Sequence, residues 1–202
     1  MTSEPNLTFK IIMIGGKGVG KASVVRRFVD HKSFHNGLNT IGIDCKTKTL
    51  NIKNQKIILK IWNTRQIINC ENLTNQFVKG AHGLVFVYDI TNEASYYKIR
   101  LWMEDLLPFT QAEKIGLVLL GGKCDKERRI ITEEMGNKMA EELKISYYET
   151  SALTGQGIKE AFEGLTRDIM KRRGVGEGNN EGGGITLKQE KKKKEKKNGD
   201  FC

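Results

Sequence analysis

Gly15-Gly16-Lys17-Gly18-Val19-Gly20-Lys21-Ala22 lies between a short apolar run, Phe9 to Ile14, and a segment, Lys21 to His31, with helical spacing through Val24, Val25, Phe28 and Val29. The apolar run is closed by glycines and reads as a buried strand. A turn of pattern G-x-x-x-x-G-K between strand and helix lets the backbone curl so that successive N–H groups point inward. The helix N-terminus adds positive potential, and Lys21 can reach the outer oxygens of a polyphosphate. A glycine-rich turn carrying a surface lysine is the ordinary alternative; the strand before it and the helix after it argue for the phosphate loop. The pattern breaks at its last position. A hydroxyl should follow the lysine to bind Mg²⁺, and Ala22 offers a methyl group. Ser23 comes next, but successive helical residues point about 100° apart, which aims its hydroxyl elsewhere.

Working outward, strand-like and helix-like segments alternate. Cys45 to Ile52 and Lys56 to Trp62 alternate around Asn54-Gln55 and predict a hairpin. Gly83 to Asp89, Gly116 to Leu120 and Ser146 to Thr150 read as further strands, the first two central and parallel. Glu93 to Leu107, Thr132 to Leu143 and Ile158 to Met170 read as amphipathic helices. The alternation predicts an α/β fold in three layers, a mostly parallel six-stranded sheet flanked by helices. Its ligand site should lie at the strands' C-terminal ends. From Gly174 the pattern gives way to Gly, Glu, Asn and Lys, a composition too poor in apolar surface to offset its ordering entropy. The expected organisation is one domain over residues 1–173 and a disordered basic tail over 174–202.

Composition narrows the function classes. The chain has 202 residues, 38% hydrophobic and 7% aromatic, enough for one domain with a proper core. No apolar run approaches the roughly 20 residues that span a membrane, and Met1 to Thr8 lacks a secretory signal's hydrophobic stretch, so a cytosolic setting is expected. Cys45, Cys70, Cys124 and Cys202 form no C-x-x-C pair and no zinc spacing. Of the net charge of +10, Ile185 to Cys202 contributes +4, from seven lysines against Glu190, Glu195 and Asp200; the rest is spread without a stripe. No interleaved aromatics or nucleic-acid motif accompany it, so nucleic acid is not the expected partner.

Beyond the phosphate loop, several segments resemble the Rab branch of the Ras superfamily, in order and without gaps. Thr40-Ile41-Gly42-Ile43-Asp44 resembles the first switch, and Ile61-Trp62-Asn63-Thr64 the start of the second. Phe77-Val78-Lys79-Gly80-Ala81 is similar to the YYRGA element and Val87-Tyr88-Asp89-Ile90-Thr91 to the VYDIT element. Lys123-Cys124-Asp125 falls in the guanine-reading loop, and Glu149-Thr150-Ser151-Ala152 in the ETSA loop. The likeness covers about Leu7 to Arg173. It implies a small-GTPase fold of the P-loop NTPase type, GTP and GDP as ligands with Mg²⁺, and regulation of vesicle and membrane traffic through effector and regulatory proteins.

The resemblance also assigns residues. Gly15, Gly18, Val19, Gly20, Lys21 and Ala22 would form the phosphate loop, and Thr40 would touch both Mg²⁺ and the γ-phosphate. Asp125 would accept two hydrogen bonds from guanine, which adenine cannot offer; Lys123 would lie along the base, and Ser151 and Ala152 would complete its pocket, with the Ala152 N–H at O6. Ile41, Gly42, Ile43, Asp44, Trp62 and Phe77 would present the effector surface, with Cys45 replacing the usual Phe.

The departures bear on mechanism. Where the family has Asp-x-x-Gly-Gln, this chain has Asn63-Thr64-Arg65-Gln66-Ile67. Asn63 lacks the charge that holds a Mg²⁺-bound water, and Ile67 cannot orient an attacking water, so no catalytic residue is assigned. A compensating indel would make Gln66 catalytic, but the gapless spacing to Gly80-Ala81 opposes it. Gly122 replaces the asparagine that braces the phosphate loop, Leu153 replaces a lysine, and Lys17 puts a cation where the family has small residues. Little intrinsic turnover is expected. The tail carries Lys191 to Lys194, Lys196 and Lys197, then Cys202. The resemblance implies a prenyl anchor on Cys202 beside a polybasic run, although the ending is not C-a-a-X; an unmodified thiol and a solvated charge run or nuclear import signal are the other readings. Two functions follow: a weakly hydrolysing regulator, cytoplasmic and peripheral on intracellular membranes, or a nucleotide-free scaffold on the same fold.

Overall fold

The computed structural model describes residues 7–30, 44–63 and 78–175. Among them β1 (Leu7–Ile14), α1 (Lys21–Asp30), β2 (Asp44–Ile52), β3 (Gln55–Asn63), β4 (Gly83–Asp89), α2 (Glu93–Leu106), β5 (Gly116–Gly122), α3 (Glu133–Leu143), β6 (Ser146–Thr150) and α4 (Ile158–Arg172) follow in order, with a 3₁₀ turn at Leu107–Phe109. The strands make one six-stranded sheet in the order β2-β3-β1-β4-β5-β6. β2 is antiparallel to β3, and every other neighbouring pair is parallel.

The alternation along β1 explains how it sits at the centre. Phe9, Ile11 and Met13 enter one apolar core with α1 and α4, while Ile12 and Ile14 enter a second with α2 and α3. In β4, Val85 and Val87 face the first core and Leu84, Phe86 and Tyr88 the second. Both faces of the central strands are covered, so these segments carry continuous apolar runs. Fully burying each such side chain contributes roughly 1.5–3 kcal/mol.

Several boundaries differ from the sequence reading. The hairpin turn is Lys53–Asn54, one residue earlier than expected, with both residues in the left-handed region at φ 50 and 62. That geometry matches the twist of the paired strands. β5 runs on to Gly122 because its last two residues pair with Glu149 and Thr150 of β6. The helix expected to Leu107 ends at Leu106, and Pro108 enters the 3₁₀ turn that follows. Thr132 lies outside α3 as its N-cap, accepting a hydrogen bond from the Met135 N–H. α4 continues to Arg172, beside the boundary expected at 173. A Cβ on Gly116 would lie 2.6 Å from Ile169 Cγ1, so the missing side chain is what lets α4 press onto the sheet.

Candidate functional site

The C-terminal ends of the parallel strands β1, β5 and β6 converge at one pole. There β1 runs into the glycine-rich loop. Gly18 and Gly20 have φ of 83 and 101, conformations that a side chain would strain. A Cβ on Gly15 would sit 2.4 Å from the Val87 carbonyl oxygen, so the loop leaves the sheet through a gap only glycine fits. Val19 is buried and anchors the loop to the core. The Val24 N–H donates to the Gly20 oxygen and starts α1 directly behind it.

Lys21 is 6% exposed, and its Nζ donates to the carbonyls of Gly15 at 2.5 Å and Gly16 at 2.9 Å. An ammonium held at the loop mouth, beside a helix N-terminus, concentrates positive potential where a polyphosphate would lie. Lys17 is exposed on the same loop, and Ala22 is half-buried.

The second half of the site grows from β5 and β6. The Cys124 N–H donates to the Thr150 oxygen at 3.1 Å, linking the two loops. Ser151 is fully buried; its Oγ donates to Asp125 Oδ1 at 2.5 Å and accepts the Thr154 N–H at 3.1 Å. Asp125 is exposed, a carboxylate held on one side by Ser151 and open to a ligand on the other. Ala152 is half-buried next to Ser151. An open hollow of about 1070 Å³ runs past Asp125, with Ile130 and Leu153 as apolar walls. Below it Arg129 makes a two-pronged ion pair with Glu149, tying the chain after the base loop back to β6.

Lys123 joins the two halves. Its backbone is left-handed at φ 66, its Nζ donates to Asp89 Oδ2 at 2.5 Å, and its Cε lies 3.9 Å from where a Gly20 Cβ would be. Asp89 also accepts the N–H and hydroxyl of Thr91 at 2.9 and 2.7 Å. Burial opposes its charge, but the hydrogen bonds from Lys123 and Thr91 outweigh burial and hold the carboxyl below its ordinary range. The sequence reading quoted Asp89 within a motif without giving it a role. The Asp-x-Thr spacing after a buried strand, which permits an Asx-type turn, was the available signal.

A defect sits at the centre of this arrangement. Thr150 is 0% exposed, and its Oγ1 has no hydrogen-bond partner among the described residues. Its strand neighbour is Gly122, which has no side chain to answer it. With no side chain between them, the Val19 carbonyl comes within 3.2 Å of where a Gly122 Cβ would be.

Of the expected effector residues, Asp44 and Trp62 are half-buried on the adjacent strands β2 and β3, where Asp44 pairs with Asn63 and Cys45 with Trp62. Ile41, Gly42, Ile43 and Phe77 lie outside the described residues, as do Thr40, Ile67 and Cys202. Asn63 is 4% exposed at the end of β3. With a methyl group at Ala22 and a neutral amide at Asn63, the described residues fit a polyphosphate better than they fit Mg²⁺.

Fold and site together define a P-loop nucleotide-binding α/β domain. The Ras family matches residues 10–171. The chain is 37% identical to Ras-related protein Rab-13 of Bos taurus over 167 residues, 82% of each chain. It is 37% identical to Rab-10 of Diplobatis ommata over 192 residues, covering 91% of this chain and 96% of that one. Against Rab-15 of Homo sapiens the identity is 34% over 172 residues, 85% of this chain and 81% of the relative. The chain belongs to the Rab branch of the Ras family of small GTPases.

Proposed function

We propose that this chain is a regulator of vesicle and membrane traffic that binds GTP and GDP, responds weakly to Mg²⁺ and hydrolyses GTP little. The observation that carries the reading is the shared pole. Lys21 on its two carbonyls and Asp125 bonded to Ser151 both sit there, and the Lys123 side chain, paired with Asp89, lies beside Gly20 of the loop. Lys21 and the amides of residues 15–22 would hold the phosphates, and Asp125 would read the N1–H and N2–H₂ edge of guanine. Lys123 would lie along the base, with Ser151 and Ala152 closing the pocket. Thr40 would contact metal and γ-phosphate, and residues 41–44, Trp62 and Phe77 would meet effectors. The domain would span 1–173. The tail, 174–202, would bring the protein to the cytosolic face of intracellular membranes, with a lipid on Cys202.

Weak hydrolysis follows from the side chains present. Ile67 cannot orient water, and Asn63 cannot carry the charge that Asp would. Losses at Ala22, Asn63 and Gly122 cost about 1–3 kcal/mol each where a buried partner is missing, which together weakens Mg²⁺–nucleotide binding by roughly two to six decades. A nucleotide-free scaffold is the second reading, favoured by the unanswered Thr150 hydroxyl beside Gly122.

Calorimetric titration of nucleotide-stripped protein with GDP and GTP, with and without Mg²⁺, decides between them. Saturable binding with a small Mg²⁺ effect supports the regulator. No saturation at millimolar nucleotide leaves the scaffold.

A further inference from the structure

The pole opposite the nucleotide site carries a second cluster of cations. Strand direction places there the loop before β4, the 3₁₀ turn after α2 and the C-terminal end of α4. Between them lies a cleft of about 560 Å³ lined by Lys79, His82, Pro108, Phe109, Gln111 and Arg173, among others. Among the described residues, none of the acids at this end, Glu104, Asp105, Glu113 or Glu141, lines it. Arg173 Nε is buried without a hydrogen-bond partner among the described residues. Lys10 sits behind the cleft, its Nζ donating to the Lys79 carbonyl at 3.2 Å and its backbone N–H to His82 Nδ1 at 3.1 Å. Burial, then the charges of Arg173 and Lys10, push the His82 imidazole below its ordinary range. The charges of Arg173 and Lys10, which contribute to that shift after burial, also attract an anion.

Two further features specify which anion. Phe109 is 46% exposed at the rim, at the end of the Leu107–Phe109 turn that contains Pro108. The chain also leaves α4 at this pole: the Gly174 N–H donates to Lys171 and the Val175 N–H to Met170, which ends the helix beside Arg173. The sequence that follows carries Lys188, Lys191 to Lys194, Lys196 and Lys197. A cationic cleft, an aromatic rim and an adjoining polybasic segment together match a bilayer rich in anionic phospholipid. The cations would meet headgroup phosphates, and the ring would enter the acyl boundary.

We propose that this cleft docks the folded domain onto anionic membrane, with Lys79 and Arg173 on the headgroup phosphates and Phe109 in the interface. The nucleotide pole and the β2–β3 edge then face the cytosol, accessible to partners. The inference rests on the membrane part of the proposed function and not on nucleotide binding.

The test uses the full unlipidated chain and co-sedimentation with vesicles of phosphatidylcholine alone or with phosphatidylserine and phosphatidylinositol phosphates. One variant replaces Lys191 to Lys194, Lys196 and Lys197 with Gln. It should retain measurable binding to anionic vesicles, because the cleft is intact. Adding Lys79→Gln and Arg173→Gln should weaken that binding roughly 30-fold, from the usual contribution of two basic residues at a charged surface. The emission of the Phe109→Trp variant should shift to shorter wavelength on anionic vesicles and stay unshifted on phosphatidylcholine. The proposal is overturned if the tail variant loses all vesicle binding, or if the Gln pair leaves partitioning unchanged. Unshifted emission from Phe109→Trp on anionic vesicles, or soluble inositol phosphate saturating the cleft without any vesicle binding, overturns it as well. Lys79 and Phe109 are exposed, and matched melting curves for each variant separate lost docking from lost folding. Failure of nucleotide titration alone leaves these vesicle results unaffected.

Discussion

Thr150→Val measures what the unanswered hydroxyl in the base loop costs. Thr150 closes β6 at 0% exposure, its backbone oxygen accepts from Cys124, and its Oγ1 has no partner among the described residues. A buried hydroxyl without a hydrogen bond costs about 1–3 kcal/mol relative to an apolar group of the same shape. Valine keeps the volume and the β-branching, so no cavity term opposes the gain. Local relaxation trims the figure, and the expected stabilisation is about 1 kcal/mol. That raises Tm by roughly 2–4 °C for a domain of this size. In urea the midpoint should rise with an unchanged slope. A second arm sharpens the test. Gly122→Asn brings an amide next to Thr150, although its Cβ would stand 3.0 Å from the Tyr88 oxygen and 3.2 Å from the Val19 oxygen, so the backbone must yield by a few tenths of an ångström. The sign of that change alone decides nothing; the cycle does. In the Gly122→Asn background Thr150→Val should destabilise, giving a coupling of about 1–2 kcal/mol. A Thr150→Val protein no more stable than the parent, together with zero coupling to Gly122→Asn, would refute the reasoning.

Two other perturbations test different parts of the argument. Burial pushes the Tyr88 phenol up to about 12, above its ordinary value near 10, and Tyr147, hydrogen-bonded to it at 2.9 Å, is raised too. The neutral Tyr88 therefore supports the fold fully below pH 10 and loses that support as pH climbs from about 10 toward 12, an effect on the order of 2–3 kcal/mol. Tyr88→Phe should flatten the alkaline limb of the Tm–pH curve, and an identical limb would count against it. Ala22→Ser should make GDP affinity, measured by calorimetry, rise at least tenfold with added Mg²⁺; a Mg²⁺ response no larger than the parent's would show that residue 22 is not the metal-ligand position.

The fold was legible because its signals are local. A strand–glycine loop–helix start, buried apolar runs of strand length and helical periodicity between them depend on neighbours within a few residues. They placed all six described strands to within two residues at each end. Boundaries slipped where a partner decided them: β5 runs to Gly122 only because β6 is there to receive its hydrogen bonds, and Pro108 bends the chain into a turn that periodicity alone does not show. In the site, Lys21 was expected from the loop's spacing and Asp125 from the family resemblance, while Asp89 went unassigned because its contact is with Lys123, 34 residues away.

The residues alone show a G-x-x-x-x-G-K loop opening the first helix, a methyl group at Ala22, a neutral amide at Asn63 and an alkyl chain at Ile67. Each is a matter of side-chain chemistry, which needs no coordinates. Only tertiary structure decided that Lys123 leaves its own loop to pair with Asp89, that Gly122 leaves Thr150 unanswered, and that Lys79, His82 and Arg173 meet at one cleft. Those facts arise from strand register and helix return, which bring together groups that stand far apart along the chain.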